Sequence, residues 1–308
     1  MQTVLGANGQ IADELAEDLW KNYTRDIRLV SRSPRRVNDS DELFSANLLD
    51  DRQTGDAVNG SEVVYLTVGV PMSTRLWQEQ FPVIMQNVIS ACAKHNAKLV
   101  FFDNTYMYPQ NNGPLTEQTK FDPVGPKGRV RADLANMLLQ AVDAGKLQAV
   151  ICRAPEFYGP GKTRSITNSW VFERIKRGKM PRVLLRDDTL RTLIWTPDAS
   201  RATAIIGNMP DAYNQTWHLP CDDNRLTYRG IIEHASWVCG NELHYKVLNK
   251  PSLKLVSLFN KRVKEILELL PRYEQDNLFV SGKFKKRFPH FEVTSYKKGI
   301  EMILNKSS

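Results

Sequence analysis

The segment Thr3-Val4-Leu5-Gly6-Ala7-Asn8-Gly9-Gln10-Ile11-Ala12 constrains this chain more than any other. An apolar run suited to a buried strand meets two glycines three residues apart. Ile11, Leu15 and Leu19 then recur at i, i+4 and i+8, the spacing of one helix face. In such a strand–turn–helix Gly6 permits the tight turn, Gly9 lets the backbone come close to a bound group, and Ala12 lets the helix pack against the strand. The first N–H groups of the helix and the positive end of its dipole then face the loop. The loop therefore reads as a seat for the pyrophosphate of a dinucleotide, with Gly6, Asn8, Gly9, Gln10 and Ile11 as its contacts.

The alternation continues. Residues 27–30, 62–68, 98–102 and 149–152 read as strands, 62–68 being the third in order and ended by Gly69. Residues 81–95 read as a helix with Ile84, Val88 and Cys92 on one stripe, and 129–144 as another with Val130, Leu134, Leu138 and Val142 inward. The strands are apolar throughout, as a parallel sheet covered on both faces requires, and right-handed crossovers follow. The expected class is α/β, a doubly wound parallel sheet (Rossmann fold) with a smaller C-terminal substrate lobe. Pro and Gly crowd residues 155–161, and helices are expected near 228–239 and 253–270. The division is thus 1–155 for the dinucleotide domain and 156–308 mainly for the lobe, with segments near 191–220 returning to the sheet.

Lys and Arg number 42 against 34 Asp and Glu, a formal charge of +8. The basic residues concentrate at 25–36 and 283–298. The second stretch reads as a solvated helix face anchored by Phe284 and Phe288, and no nucleic-acid signature accompanies it, so nucleic acid is not an expected partner. No run is long enough to span a bilayer, and an opening strand at residue 3 leaves no room for a leader. A cytoplasmic protein with no membrane partner is expected. Four cysteines and five histidines show no ligand spacing, so free thiols and no metal are expected.

The end of the second strand speaks to cofactor choice. NAD-binding sheets place an acid there for the ribose 2′-hydroxyl. This chain has Ser31-Arg32-Ser33-Pro34-Arg35-Arg36, and Ser31, Arg32 and Arg36 suit a 2′-phosphate. NADP is expected ahead of NAD, which stays open; a merely solvated basic loop is the alternative.

In order and spacing the chain resembles the extended short-chain dehydrogenase/reductases, the NAD-dependent epimerase/dehydratase family. The matching segments are the loop from Gly6 to Ala12, Asn47-Leu48-Leu49-Asp50, Val64-Tyr65-Leu66-Thr67-Val68-Gly69, the mid-helix Asn87, Tyr106-Met107-Tyr108 and Arg153-Ala154-Pro155-Glu156-Phe157-Tyr158-Gly159-Pro160-Gly161. Residues 191–202 and Ser281-Gly282-Lys283-Phe284 continue the series. The resemblance implies that Leu48 borders the adenine, that Thr67, Val68 and Gly69 run beside the ribose and pyrophosphate, and that the substrate is a small carbonyl or hydroxyl compound or a nucleotide-linked sugar. It also implies a homodimer through the helices at 81–95 and 129–144.

The family's catalytic pattern is a Tyr-x-x-x-Lys pair one helical turn apart with a Ser or Thr after the fourth strand. The literal match, Tyr158-Gly159-Pro160-Gly161-Lys162, has a centre that no helix interior tolerates. At the expected place the chain reads Gly125-Pro126-Lys127-Gly128-Arg129-Val130-Arg131, which fits as Lys127 with Arg131 or as Gly125 with Arg129, neither supplying a tyrosine. The serine position falls on Asn104 or Thr105. Candidate catalytic residues are Thr105, Tyr108, Lys127 and Arg131, with Lys127 also a cation for the cofactor and Tyr106 and Glu156 as substitutes. For Tyr108 the alternative is an aromatic packed beside Pro109, and for Glu156 a hydrogen-bonding carboxylate. Two functions follow: an NADP-preferring oxidoreductase, epimerase or dehydratase with a non-standard proton donor, or a non-catalytic NADP(H)-binding sensor.

Overall fold

A computed structural model of the chain describes residues 1–111, 113–161 and 163–305. It divides into two compact units. The first comprises residues 1–107, 125–154 and 199–219, the second 108–124, 155–198 and 220–308.

The first unit is built on a seven-stranded sheet. Its strands in chain order are β1 (Gln2–Leu5), β2 (Ile27–Ser31), β3 (Glu42–Ser45), β4 (Val63–Leu66), β5 (Lys98–Asp103), β6 (Ala149–Arg153) and β7 (Gln215–His218). They lie in the order β7-β6-β5-β4-β1-β2-β3 with every neighbouring pair parallel. Helices α1 (Gln10–Asn22), α2 (Asp51–Val58), α3 (Thr74–His95), α4 (Gly125–Asp143) and α5 (Thr196–Gly207) make the connections. This is the doubly wound parallel sheet expected of the sequence. Its order reverses between β1 and β4, the switch point at which such sheets bind ligands.

Four local readings need correction. β3 escaped the sequence because it is an edge strand of four residues, Glu-Leu-Phe-Ser, largely exposed and without an apolar run; residues 63–66 are therefore the fourth strand, not the third. The helix expected at 81–95 begins at Thr74, with Ser73 as its cap and Pro82 inside it, and Trp77 extends the buried stripe back by one turn. α4 begins one turn before Arg129, so Lys127 and Gly128 join its buried face. The stretch 253–270 is not one helix. It breaks at Leu258–Asn260, where the Asn260 side chain accepts from the N–H groups of Arg262 and Val263 and starts a new helix.

At the amino ends of the strands, Tyr65, Gln2 and Asn208 close a hydrogen-bonded ring. The Tyr65 hydroxyl donates to Gln2 (3.0 Å), Gln2 to Asn208 (2.6 Å), and Asn208 back to Tyr65 (3.2 Å). Gly207 at the end of α5 makes room for the phenol, since a Cβ there would lie 2.4–2.7 Å from the Tyr65 ring and oxygen.

The second unit has short paired strands rather than a continuous sheet. Glu156–Tyr158 runs parallel to Leu193–Trp195, Leu190–Arg191 antiparallel to Leu226–Thr227, and Arg182–Leu184 parallel to Lys246–Leu248. Its core collects Tyr158, Phe172, Trp195, Tyr228 and Tyr296 against α6 (Tyr228–Cys239) and the C-terminal helix Tyr296–Asn305. Phe284, on the basic helix Gly282–Arg287, is fully buried and packs on Phe288 at 4.6 Å between ring centroids. Among the described residues no helix is long and apolar enough to cross a membrane.

Gly207→Ala should destabilise the chain by about 1–3 kcal/mol, because the added methyl must displace a fully buried ring in a close-packed core. A lowered urea midpoint checks this; an unchanged midpoint would show that Tyr65 has room to move.

Candidate functional site

β1 ends at Leu5, and the chain turns through Gly6 with φ +112°. A Cβ at Gly6 would lie 2.8 Å from the Val68 nitrogen and 2.9 Å from its Cα, so only glycine lets the turn lie against the end of β4. Asn8 also has positive φ, +74°. Gly9 is the N-cap of α1 and carries no side chain to satisfy the first amides of that 13-residue helix. No side chain of the cap residue satisfies the first-turn N–H groups of Gln10, Ile11 and Ala12, the groups from which an anion at a helix start accepts.

Asn8 does more than turn the chain. Its Nδ2 donates to the Ser33 carbonyl (2.8 Å) and approaches the Ser31 hydroxyl (3.5 Å), while its Oδ1 accepts from the Arg35 N–H (3.0 Å). The Gly6–Ala12 turn is therefore strapped to the loop that follows β2. Arg32 is exposed there, whereas Arg36 donates to the carbonyls of Asp39 and Asp41 and is spent on its own loop. Thr67 donates to the Leu5 carbonyl and so joins the ends of β1 and β4 (3.0 Å). Val68 is half-buried and Gly69 exposed. Leu48 is buried, its carbonyl held by Asn87 from the middle of α3 (3.0 Å).

The carboxyl ends of β5 and β6 hold a charge cluster the sequence did not reveal. Asp103, the last residue of β5, lies 3.0 Å from Arg131 Nε and 3.3 Å from Arg153 Nη2, all three side chains being buried. The Arg131 contact is a charge contact rather than an aligned hydrogen bond, and Arg131 Nη1 finds no hydrogen-bond partner among the described residues. The guanidinium instead rests near the rings of Phe81 (5.0 Å), Phe101 (5.5 Å) and Trp77 (5.8 Å). Burial pulls its pKa down, and Asp103 opposes that pull.

α4 presents Lys127 and Arg131 on its buried face and leaves Arg129 exposed. Lys127 Nζ donates to the Thr74 hydroxyl at the start of α3 (2.7 Å). Thr105 is buried, while Asn104 is occupied in accepting from the Tyr106 N–H (3.0 Å). Tyr106 stacks on Trp77 at 5.9 Å.

Other candidates fall in the second unit. Tyr108 is fully buried, its ring edge-on to Phe121 at 5.9 Å, in the packed role weighed as its alternative. Tyr158 lies in a strand and packs on Trp195, and Lys162 lies outside the described residues. Glu156 accepts from Thr167 (2.7 Å) and Tyr228 (3.4 Å) and pairs with the buried Arg191 (3.4 Å). Burial alone would lower the Arg191 pKa; Glu156 and the phenols of Tyr228 and Tyr273 outweigh it and leave it raised. Glu156 is thereby the counter-ion of a fixed guanidinium.

The model of the NAD dependent epimerase/dehydratase family matches residues 2–218. The chain belongs to that family. No curated protein matches its sequence. Solved structures share its fold at low identity. The UDP-glucuronic acid 4-epimerase of Bacillus cereus, in complex with UDP-glucuronic acid and NAD, is 14% identical with TM-score 0.83, over 100% of this chain and 99% of that one. The UDP-glucose 4-epimerase of Thermus thermophilus, in complex with NAD, is 16% identical with TM-score 0.76, over 100% and 99%. The UDP-glucose 4-epimerase of Thermotoga maritima with UDP-glucose is 14% identical with TM-score 0.77, over 99% and 98%. In the segment where the family was expected to carry its tyrosine and lysine, the chain has Lys127 and Arg131 on the buried face of α4.

Asp103→Ala should lower stability by about 3–5 kcal/mol, since it leaves two buried guanidinium groups without their anion. Urea unfolding reads the loss, and a change below about 1 kcal/mol would mean that water or the π faces already carry both charges.

Proposed function

We propose that the chain is an NADP-preferring oxidoreductase, epimerase or dehydratase acting on a small carbonyl or hydroxyl compound or a nucleotide-linked sugar. The observation that carries this reading is the phosphate loop strapped through Asn8 to a basic loop with no acid at the ribose position. In this reading the amides around Gly6, Asn8, Gly9, Gln10 and Ile11 hold the pyrophosphate. Ser31 and Arg32 meet the 2′-phosphate, with Arg36 shaping their loop. Leu48 lies beside the adenine, and Thr67, Val68 and Gly69 run along the ribose. The cradle fits such a group: the Gly6 turn admits no side chain, and the α1 amides lack a side-chain cap. NAD is the competing cofactor, and it is NAD that the compared epimerase structures contain.

Bound there, the dinucleotide supplies a hydride donor or acceptor. The chain's own part is proton handling and orientation. A tyrosine can both donate and accept, whereas a lysine ammonium only donates. Lys127, held by Thr74, is therefore assigned hydrogen-bond or proton donation to a substrate oxygen, with the Thr105 hydroxyl as its partner in orientation. Arg131 contributes fixed positive charge to the cofactor end. Tyr108 has a packed environment and is assigned no proton transfer. Residues of the second unit serve as the substrate lobe.

A second reading, a sensor that binds NADP(H) without turnover, is favoured by one observation: the inner face of α4 carries no phenol. Fluorescence titration and turnover separate the two. Arg32→Ala should weaken NADPH by about 10- to 100-fold through loss of a charge-assisted contact and leave NADH within about twofold. Equal losses for both would refute 2′-phosphate recognition, and no binding of either nucleotide would remove both readings. Lys127→Met should keep NADPH affinity within about tenfold but cut NADPH oxidation across a carbonyl panel by about 100-fold or more. Tight NADPH binding by the unaltered protein with no turnover on any compound would establish the sensor instead.

A further inference from the structure

In the second unit, helices α7 (Lys250–Ser257) and α8 (Lys261–Ile266) form a hairpin with an apolar apex. Leu253, Val263 and Ile266 anchor it inward, each less than a tenth exposed. Asn249 caps the start of α7 and Asn260 the start of α8. Yet Leu255 is 64% exposed, Val256 47%, Leu258 74% and Phe259 89%. Four large apolar side chains within five residues, standing in water on a well-anchored element, are a patch that a partner covers rather than scattered surface apolarity.

The charges around the patch identify the partner. Lys254, Lys261, Arg262 and Lys264 are all exposed. From Lys246 to Lys264 the chain carries six cations and not one acid, the stretch being bounded by Glu242 and Glu265; of the six, Lys250 is ion-paired with Glu274. A second copy of the same patch would set like charges against each other. A nucleic acid would satisfy the cations and leave the four apolar side chains wet. An anionic lipid surface satisfies both, taking the rings and aliphatic chains into the headgroup–acyl boundary and the cations among its phosphates.

We propose that the α7–α8 hairpin docks this protein peripherally on an anionic membrane, with Leu258 and Phe259 as the inserting tip. A spanning run is not needed for this mode of attachment. The orientation follows from the fold: the side chains of Leu253, Val263 and Ile266 stay in the protein core while the apex enters the lipid.

Co-sedimentation of the full chain with vesicles tests the proposal, using phosphatidylcholine alone and phosphatidylcholine mixed with phosphatidylglycerol. The unaltered protein should bind the mixed vesicles at least about tenfold more tightly, with affinity falling as salt rises. Leu258→Asp with Phe259→Asp, and separately Lys261→Glu with Arg262→Glu, should each weaken that binding by about tenfold or more. Lys297→Glu with Lys298→Glu, exposed cations on the C-terminal helix, should bind as the unaltered protein does. Circular dichroism establishes that each variant is folded. Binding that ignores lipid charge, or that the Lys297/Lys298 variant loses equally, would overturn the proposal in favour of diffuse attraction, and no binding would overturn it outright. A dimer by light scattering that Leu258→Asp with Phe259→Asp converts to a monomer would assign the patch to a second copy.

Discussion

The carboxylate of Asp103 is buried at the end of a central strand, and two guanidinium groups lie against it. One comes from the next strand, through Arg153, and one from the helix between them, through Arg131. A buried charge of this kind tolerates little displacement, because its cost is offset only while its partners stay within contact distance. The strand ends and the inner face of α4 are therefore held in one register. The ring faces of Phe81, Phe101 and Trp77 lie within cation–π range of the Arg131 guanidinium.

That rigidity changes what the exchange at the α4 positions means. Lys127 in the first turn is buried and donates to the Thr74 hydroxyl, while Arg131 is fixed by charge and by rings. The two cations are not equivalent, although they stand four residues apart on one helix. In the proposed function, a cationic pair at these positions can donate hydrogen bonds to a substrate oxygen but offers no acceptor of its own. The Gly6–Ala12 turn, by contrast, offers backbone amides that side chains on α4 leave untouched. In the proposed function, dinucleotide binding and proton chemistry therefore rest on separate residues.

Legibility in the sequence followed the same division. The loop from Gly6 to Ala12 was readable because its function is carried by the backbone, and backbone requirements leave glycine at fixed spacing. β1, β2, β5 and β6 were readable because burial on both faces demands unbroken apolar runs. β3 was not, since an edge strand needs no such run. Asp103 was hidden for a different reason: an acid after an apolar strand looks the same whether it ends in solvent or between two arginines, and only the fold brings residues 131 and 153 to it. Asn8 was legible as a loop residue, but not its strap to Ser33 and Arg35, which depends on the loop after β2 folding back over it.

Charge shows the limit most directly. The sequence draws the eye to 283–298, where cations are dense, but Phe284 in that stretch is buried and its helix is seated on the core. The cations from Lys246 to Lys264 are sparser and interleaved with leucines and valines that a periodicity argument assigns to one long buried helix. Breaking that helix at Leu258–Asn260 inverts the meaning of its apolar residues. A continuous helix would hide Leu255, Leu258 and Phe259 in a stripe, whereas the hairpin turns them outward among lysines. The difference rests on one capping asparagine, Asn260, whose side chain accepts from two amides and starts α8 in a new direction. A capping contact of that size decides whether a basic apolar segment is core or interaction surface.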